Sequence, residues 1–149
     1  MEIQKTPELE KEHYMDLLLL GDEQEDMVRR YLYRGELFAL HDPDLKGVCV
    51  VTQESPQVFE LKNIAVNPHD QSKGYGRALL NFLFARYGLP GNTLLVGTGD
   101  VPLTVGFYEH FGFIRSHTVP DFFTDHYDHP IYEDGILLRD MVYLKKFWS

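Results

Sequence analysis

Hydrophobic positions along the chain change period several times, and each change predicts an element. Glu2 to Lys5 reads as a short first strand. Behind it, Leu9, His13, Leu17 and Leu20 recur at helical spacing. Thr6 suits the N-cap of that helix, with Pro7 in its first turn and Glu8 and Glu10 at the positive end, so the spacing predicts a helix running to Gly21. A shorter helical segment covers Glu25 to Tyr33 and stops near Gly35. Glu36–His41 and Gly47–Gln53 read as strands joined by the turn Asp42-Pro43-Asp44. In Val58–Val66 the apolar residues fall first on odd positions (Phe59, Leu61) and then on even ones (Ile64, Val66). One extra residue near Lys62-Asn63 produces such a phase change, and so does a strand buried on both faces. Lys73–Tyr87 is apolar nearly all round, which predicts a buried helix. Asn92–Gly97 is an interior strand. Asp100 is placed to cap a further helix, with Pro102 in its first turn and Gly112 at its left-handed end. Phe113–Val119 and Leu138–Lys145 complete the strands, and Pro120–Gly135 between them reads as an irregular acidic stretch. A meander followed by alternating strands and helices predicts a mixed α/β sandwich around one sheet.

Composition narrows the function. A chain of 149 residues at 44% hydrophobic fills a real core within one domain, residues 1–149. Asp and Glu number 23 against 14 Lys and Arg, a formal charge of −9. That balance argues against nucleic acid and anionic membrane as partners, since both need a basic footprint. The single cysteine, Cys49, forms no internal disulfide and reads as a small core residue. The first residues carry no signal-peptide stretch, so the expected location is the cytoplasm. A homodimer is compatible with all of this.

Positive charge gathers at one place. From Lys62 to Arg86 there are four basic residues (Lys62, Lys73, Arg77, Arg86) against Asp70 alone. They surround Gln71-Ser72-Lys73-Gly74-Tyr75-Gly76-Arg77, a glycine turn between strand and helix. Unpaired N–H groups at a helix N-terminus and glycines that admit close approach make an anion site, so a phosphorylated ligand is expected there. The Walker pattern is absent, and Leu79 stands where the dinucleotide fingerprint needs its third small residue. The run Asn63-Ile64-Ala65-Val66-Asn67-Pro68 followed by Gln71-x-x-Gly74-x-Gly76-Arg77-Ala78-Leu79-Leu80 resembles the acetyl-CoA motif of the GNAT superfamily of N-acetyltransferases. Gly106-Phe107-Tyr108-Glu109-His110-Phe111-Gly112-Phe113 resembles the later helix of that family.

The resemblance implies a fold, a cosubstrate and roles. The fold is a mostly antiparallel sheet of about six to seven strands, splayed in the middle, with about four helices packed on it. Acetyl-CoA is the implied cosubstrate, without a metal. Its pyrophosphate would lie on the backbone of Gln71, Ser72, Lys73, Gly74, Tyr75, Gly76 and Arg77, and its pantetheine arm along Ile64, Ala65 and Val66. Tyr108 matches the family's general acid toward the thiolate, and Glu60 the general base of its histone-acetylating members. An oxyanion would be held by a backbone N–H near Ile64 or Ala65. Many relatives carry an asparagine where this chain has Val101, which leaves Asp100 or Thr104 to replace that contact.

The implied reaction is direct transfer of an acetyl group to a primary amine of a small molecule or peptide. Residues 1–30 hold nine acidic and four basic residues, and His117 to Asp140 hold six acidic residues and Arg139. In this fold those regions flank the acceptor entrance, which favours a cationic acceptor. Two other classes stay open from the residues alone. One is a non-catalytic acyl-CoA-binding module, toward which Val101 leans. The other is a metal-dependent regulator built on His117, His126, His129, Asp121, Asp125 and Asp128, whose spacing matches no tight metal site.

Overall fold

The computed structural model describes residues 1–149. Strand β1 (Glu2–Lys5) leads through a 3₁₀ helix (Glu8–Tyr14) into α1 (Met15–Gly21) and α2 (Glu25–Leu32). The meander β2 (Glu36–His41), β3 (Leu45–Ser55) and β4 (Val58–Val66) follows. Then come α3 (Tyr75–Tyr87), β5 (Thr93–Gly99), α4 (Pro102–His110), β6 (Ile114–Val119) and α5 (Phe122–His126). A two-stranded hairpin, β7 (Tyr132–Glu133) and β8 (Ile136–Leu137), precedes the last strand β9 (Met141–Phe147). The main sheet has seven strands in the order β1-β2-β3-β4-β5-β9-β6, and only β4 and β5 run parallel.

Alternation places the two cores. On β2, Leu37 and Ala39 face α1 and α2, while Phe38 and Leu40 face α3. On β3, Val48 and Val50 join the first group, Cys49 and Val51 the second. Strands covered on both sides read as continuous apolar runs, and these do.

The phase change in β4 is a bulge. Val50 pairs with Asn63 and Val51 with Leu61, so Lys62 has no partner of its own. The extra residue keeps Leu61 and Ile64 on the α3 face while Ala65 turns toward α1. The strand is therefore bulged and covered on both faces at once. It also stops pairing with β5: the parallel ladder joins only Val58–Leu61 to Thr93–Val96. Beyond that point the sheet opens as a wedge, with β4 held only by β3 and β5 only by β9.

Several local expectations are corrected. Thr6 does not cap a helix; its N–H donates to the Leu37 carbonyl at 2.8 Å, extending the β1–β2 pairing. Leu9 is 95% exposed, and the buried positions nearby are Lys11, Met15, Leu17 and Leu18, because the first turns are 3₁₀ and shift the inward face. Asp100 caps nothing. Val101 holds the N-cap position of α4, and Asp100 meets Arg115 at 3.1 Å. The stretch 120–135 is ordered: α5 and the hairpin close a small core of Val101, Phe123, Ile131 and Leu138.

Lys11 is a buried tether between layers. Its ammonium donates to the carbonyls of Leu32 and Gly35 at 2.8 and 2.7 Å and to Glu8 at 2.7 Å, so it closes the C-terminal end of α2. Lys11→Met keeps the stem and strands both carbonyls. Unmet buried acceptors cost about 1–3 kcal/mol each, so urea unfolding should read a loss of about 2–4 kcal/mol. The acetyl-CoA KM should stay within about twofold, since Lys11 touches neither cavity described next.

Candidate active site

Two cavities lie on either side of the wedge. The larger, about 520 Å³, is lined by Leu61, Lys62, Asn63 and Ile64 of β4 and by Val96, Gly97, Thr98 and Gly99 of β5. Its outer wall comes from Leu20–Glu23 at the end of α1, from Phe123 and Tyr127, and from Ile131–Asp134 with Leu138 and Met141. Tyr108 of α4 reaches into it. The smaller, about 420 Å³, is lined by Val66, Asp70, Gln71, Ser72, Gly74, Tyr75, Gly76 and Arg77, with Phe107, His110 and Phe111 of α4 opposite.

The smaller cavity is the glycine turn. Gly74 sits at φ 90° as the cap of α3, a conformation that side-chain-bearing residues rarely adopt. The first helical bond runs from the Ala78 N–H to the Gly74 carbonyl at 3.0 Å, so the N–H groups of Tyr75, Gly76 and Arg77 lie ahead of the helix ladder. A Cβ at Gly76 would meet only Phe107, at 3.7 Å, so the space before it belongs to the cavity. The Arg77 guanidinium lies 5.8 Å from the Phe111 ring centroid. Lys73 pairs with Asp70 of the lining at 3.3 Å, as does Lys46 at 3.4 Å. The Tyr75 hydroxyl is engaged with Asp42 at 2.9 Å. This cradle suits a pyrophosphate: exposed N–H donors, one stacked arginine and no side chain in the way.

Ile64 lines the larger cavity and Val66 the smaller, so the free side of β4 runs from one to the other. Ala65 turns its side chain away into the α1 core, leaving only its backbone for the wedge.

Tyr108 is 5% exposed, and its hydroxyl has no hydrogen-bonded partner in the chain. Burial pushes its pKa well up, and the charge of Glu133 adds to the effect, so the phenol holds its proton far above neutrality. Glu133 accepts a hydrogen bond from Thr104. Glu60 is 7% exposed and lies outside the cavity lining. Its carboxylate pairs with Lys62 at 2.8 Å and accepts from the Tyr143 hydroxyl at 3.3 Å. Lys62, the bulge residue, is the one basic side chain on the larger cavity, against Asp22, Glu23, Glu133 and Asp134.

Neither expected substitute for the family's asparagine lines a cavity: Asp100 is tied to Arg115 and Thr104 to Glu133. Val101 is fully buried in the small core instead. Histidines 117, 126 and 129 do not converge. His117 stacks on Tyr143, His126 contacts the Phe122 carbonyl, and His129 meets Asp128. No group of three or more His, Cys, Asp or Glu side chains is arranged to hold a metal ion. Cys49 is fully buried, and desolvation alone drives its thiol pKa up, away from reactivity.

Sequence reasoning missed Asp22, Asn63 as a cavity residue, Tyr127 and Glu133. Asp22 reads locally as a helix end, and its partners stand nine and 105 residues away, at Tyr31 and Tyr127.

A sheet split beside a glycine turn at a helix start is the arrangement that the resemblance to acetyl-CoA-dependent transferases implies, and comparison with known proteins agrees. The family model "Acetyltransferase (GNAT) domain" matches residues 33–115. The uncharacterized N-acetyltransferase YvbK of Bacillus subtilis (strain 168) is 41% identical over 132 residues, covering 87% of this chain and 85% of that protein. A Bacillus subtilis acetyltransferase crystallised with CoA is 37% identical over 99% of both chains, with a TM-score of 0.87. A GNAT family acetyltransferase from Elizabethkingia anophelis with acetyl-CoA bound is 30% identical over 97% of this chain and 95% of its own, with a TM-score of 0.85. The chain belongs to the GNAT acetyltransferase family and is an acetyl-CoA-dependent acyltransferase.

Proposed function

We propose that residues 1–149 act as one N-acetyltransferase domain that acetylates a primary amine by direct transfer, without an acyl-enzyme. The observation that carries this reading is the unpartnered Tyr108 hydroxyl in the wedge, beside the released edge of β4. Acetyl-CoA supplies the activated acetyl group. The turn Gln71–Arg77 would hold its phosphates, with Gly74 and Gly76 giving access to the N–H groups and Arg77 adding charge; Lys73, spent on Asp70, contributes least. The backbone of Ile64, Ala65 and Val66 would pair with the pantetheine arm, because β4 has lost its β5 neighbour there.

Direct transfer is supported by the make-up of the larger cavity. Its lining holds no cysteine or serine, and Cys49 is sealed in the core. The amine nitrogen forms the C–N bond as the C–S bond breaks. Tyr108 gives a proton to the departing sulfur, and the proton lost by nitrogen goes to a carboxylate of the wall. Glu133, which lines the same cavity as Tyr108, would take that proton. Glu60 acts through Lys62, which it anchors, and serves as base only if that pair opens. A backbone N–H near Ile64 or Ala65 would steady the oxyanion.

The acceptor is a cationic amine, on the support of four carboxylates against Lys62 in the lining. The reading holds for a monomer and a homodimer alike, since one chain supplies both cavities. We place the enzyme in the cytoplasm, consistent with its buried free thiol; no helix is long and apolar enough to cross a membrane. Release of CoA thiol from acetyl-CoA with a panel of small amines and peptides tests the proposal, and a protein that binds acetyl-CoA but acetylates none of them would be a binding module instead. With a productive acceptor in hand, its KM should rise several-fold between about 20 and 300 mM salt, more than the KM for acetyl-CoA does, because a multiply negative cavity loses long-range attraction as the Debye length shortens. An acceptor KM indifferent to salt would remove the cationic reading.

A further inference from the structure

The Tyr108 hydroxyl is aimed by packing alone. No group in the chain holds it by a hydrogen bond, and a phenol oxygen lies on the axis of its ring, so the seat of the ring decides where the proton points. Two aromatic rings form that seat. Phe113 meets Tyr108 edge-on at 5.5 Å; it is 2% exposed and backed by Phe84 at 5.9 Å, so the core fixes this side. Phe107 meets Tyr108 edge-on at 5.2 Å and is 38% exposed. This second side has no comparable core behind it.

What stands behind Phe107 is the glycine cradle. Consecutive residues of an α-helix point about 100° apart, so α4 turns Tyr108 into the larger cavity and Phe107 into the smaller. The tip of the Phe107 ring, Cζ, is the one atom that a Cβ at Gly76 would meet. Its flank lies edge-on to Phe111 at 5.1 Å, and Phe111 in turn carries the Arg77 guanidinium. Arg77, Phe111, Phe107 and Tyr108 therefore form a continuous series of contacts from the cradle to the phenol. A partly exposed ring on a cavity wall gains apolar contact when the cavity fills, and close-packed rings pass a displacement on to their neighbours.

We infer that Phe107 is a positioning residue, which seats the Tyr108 ring when the cradle is filled, so that the proton donor is aligned only in the cosubstrate-bound enzyme. This rests on the acetyl-transfer reading, in which Tyr108 protonates the sulfur and the turn holds the phosphates, and it adds the link between those two sites. Phe107 itself touches no reacting atom; it acts through the phenol.

The first arm of the test needs no turnover. ADP carries the diphosphate without the pantetheine arm, so it fills the cradle and stops short of Tyr108. Protein with isotope-labelled tyrosine rings is titrated with ADP and followed by NMR, the Tyr108 signals being those lost in Tyr108→Phe and the Gly76 amide reporting binding. In wild type the Tyr108 ring signals should shift along the same saturation curve as the Gly76 amide. In Phe107→Leu, which keeps apolar bulk but no ring, ADP should bind within about threefold of wild type and leave Tyr108 unmoved. Tyr108 signals that ignore bound ADP in wild type, or shift equally in both proteins, overturn the inference.

The second arm is kinetic. Phe107→Leu should lower kcat about tenfold with the acetyl-CoA KM within about threefold, and Phe107→Tyr, which keeps the ring edge, should restore kcat. In a Tyr108→Phe background the same Phe107→Leu change should cost less than about twofold, since a residue that acts through the phenol has nothing left to place. Equal losses in both backgrounds, or a loss confined to KM, overturn the inference; a packing role would lower the melting temperature and leave these ratios alone. Phe107→Met repeats both arms if the leucine variant folds poorly. If no amine is turned over, the acetyl-transfer reading fails separately and the ADP titration decides. If ADP does not bind, the cradle reading fails separately and the kinetic comparison decides.

Discussion

Tyr108→Phe is expected to lower kcat by at least about 100-fold while leaving the KM for acetyl-CoA nearly unchanged, the signature of an interaction made only in the transition state. That corresponds to roughly 3 kcal/mol of barrier. The hydroxyl is the only atom removed, it has no partner in the chain to lose, and the ring stays packed among Phe107 and Phe113. The variant should therefore melt close to wild type. The raised pKa sharpens the test. A phenol titrating near 10 would impose an alkaline fall in kcat, but burial moves this one higher, so its proton stays in place through pH 10 and no such fall is expected from it. The weaker acid is still able to serve, because a thiolate leaving beside the buried phenol would be made more basic by the same desolvation. Stopped-turnover measurements of kcat from pH 6 to 10 on both proteins check this. A Tyr108→Phe enzyme with normal kcat across that range would make the tyrosine a packing residue and hand the thiolate to water.

Gly76→Val should weaken acetyl-CoA binding at least tenfold, about 1.4 kcal/mol, with the fold intact. The geometry separates the two effects cleanly. A Cβ at Gly76 meets nothing nearer than Phe107 at 3.7 Å, so the protein itself tolerates the side chain. The added methyls project into the space ahead of the Tyr75, Gly76 and Arg77 N–H groups, where a phosphate must come close. Gly74 is a poorer choice for this experiment, since at φ 90° any side chain strains the backbone before a ligand is considered. Equilibrium titration with acetyl-CoA, paired with a thermal melt, reads both quantities. Undiminished affinity in a folded Gly76→Val protein would move the cosubstrate away from this turn.

Local rules reached far in this chain because much of its architecture is local. The phase change within Val58–Val66 is a property of consecutive residues, and the skipped partner at Lys62 is its direct expression. The same holds for the left-handed glycines 74 and 112, whose turns follow strand or helix signals a few residues away. Errors cluster where a local signal met a non-local competitor. Thr6 is a good cap by composition, but its N–H was claimed by Leu37 across the sheet. Asp100 is likewise a good cap, but Arg115 took its carboxylate and Val101 was drawn into a core formed by residues 123, 131 and 138.

By itself the sequence determined the bulged strand, the glycine cradle, the order of elements and the family, since each is written in residues near one another. The acceptor side was decided only in three dimensions. Gln24 bonds the His126 carbonyl at 3.2 Å and the Asp128 N–H at 2.9 Å, and Tyr127 reaches Asp22, so the outer wall of the cavity is assembled across about a hundred residues of chain. No periodicity links such positions; they meet because the wedge between β4 and β5 leaves a gap that the α1–α2 loop and the segment after β6 close together. Glu60 shows the reverse case. Its place on the strand was legible, but whether its carboxylate faced the cavity or a lysine depended on where the bulge sent Lys62, and at 2.8 Å that ion pair is a fact of tertiary packing.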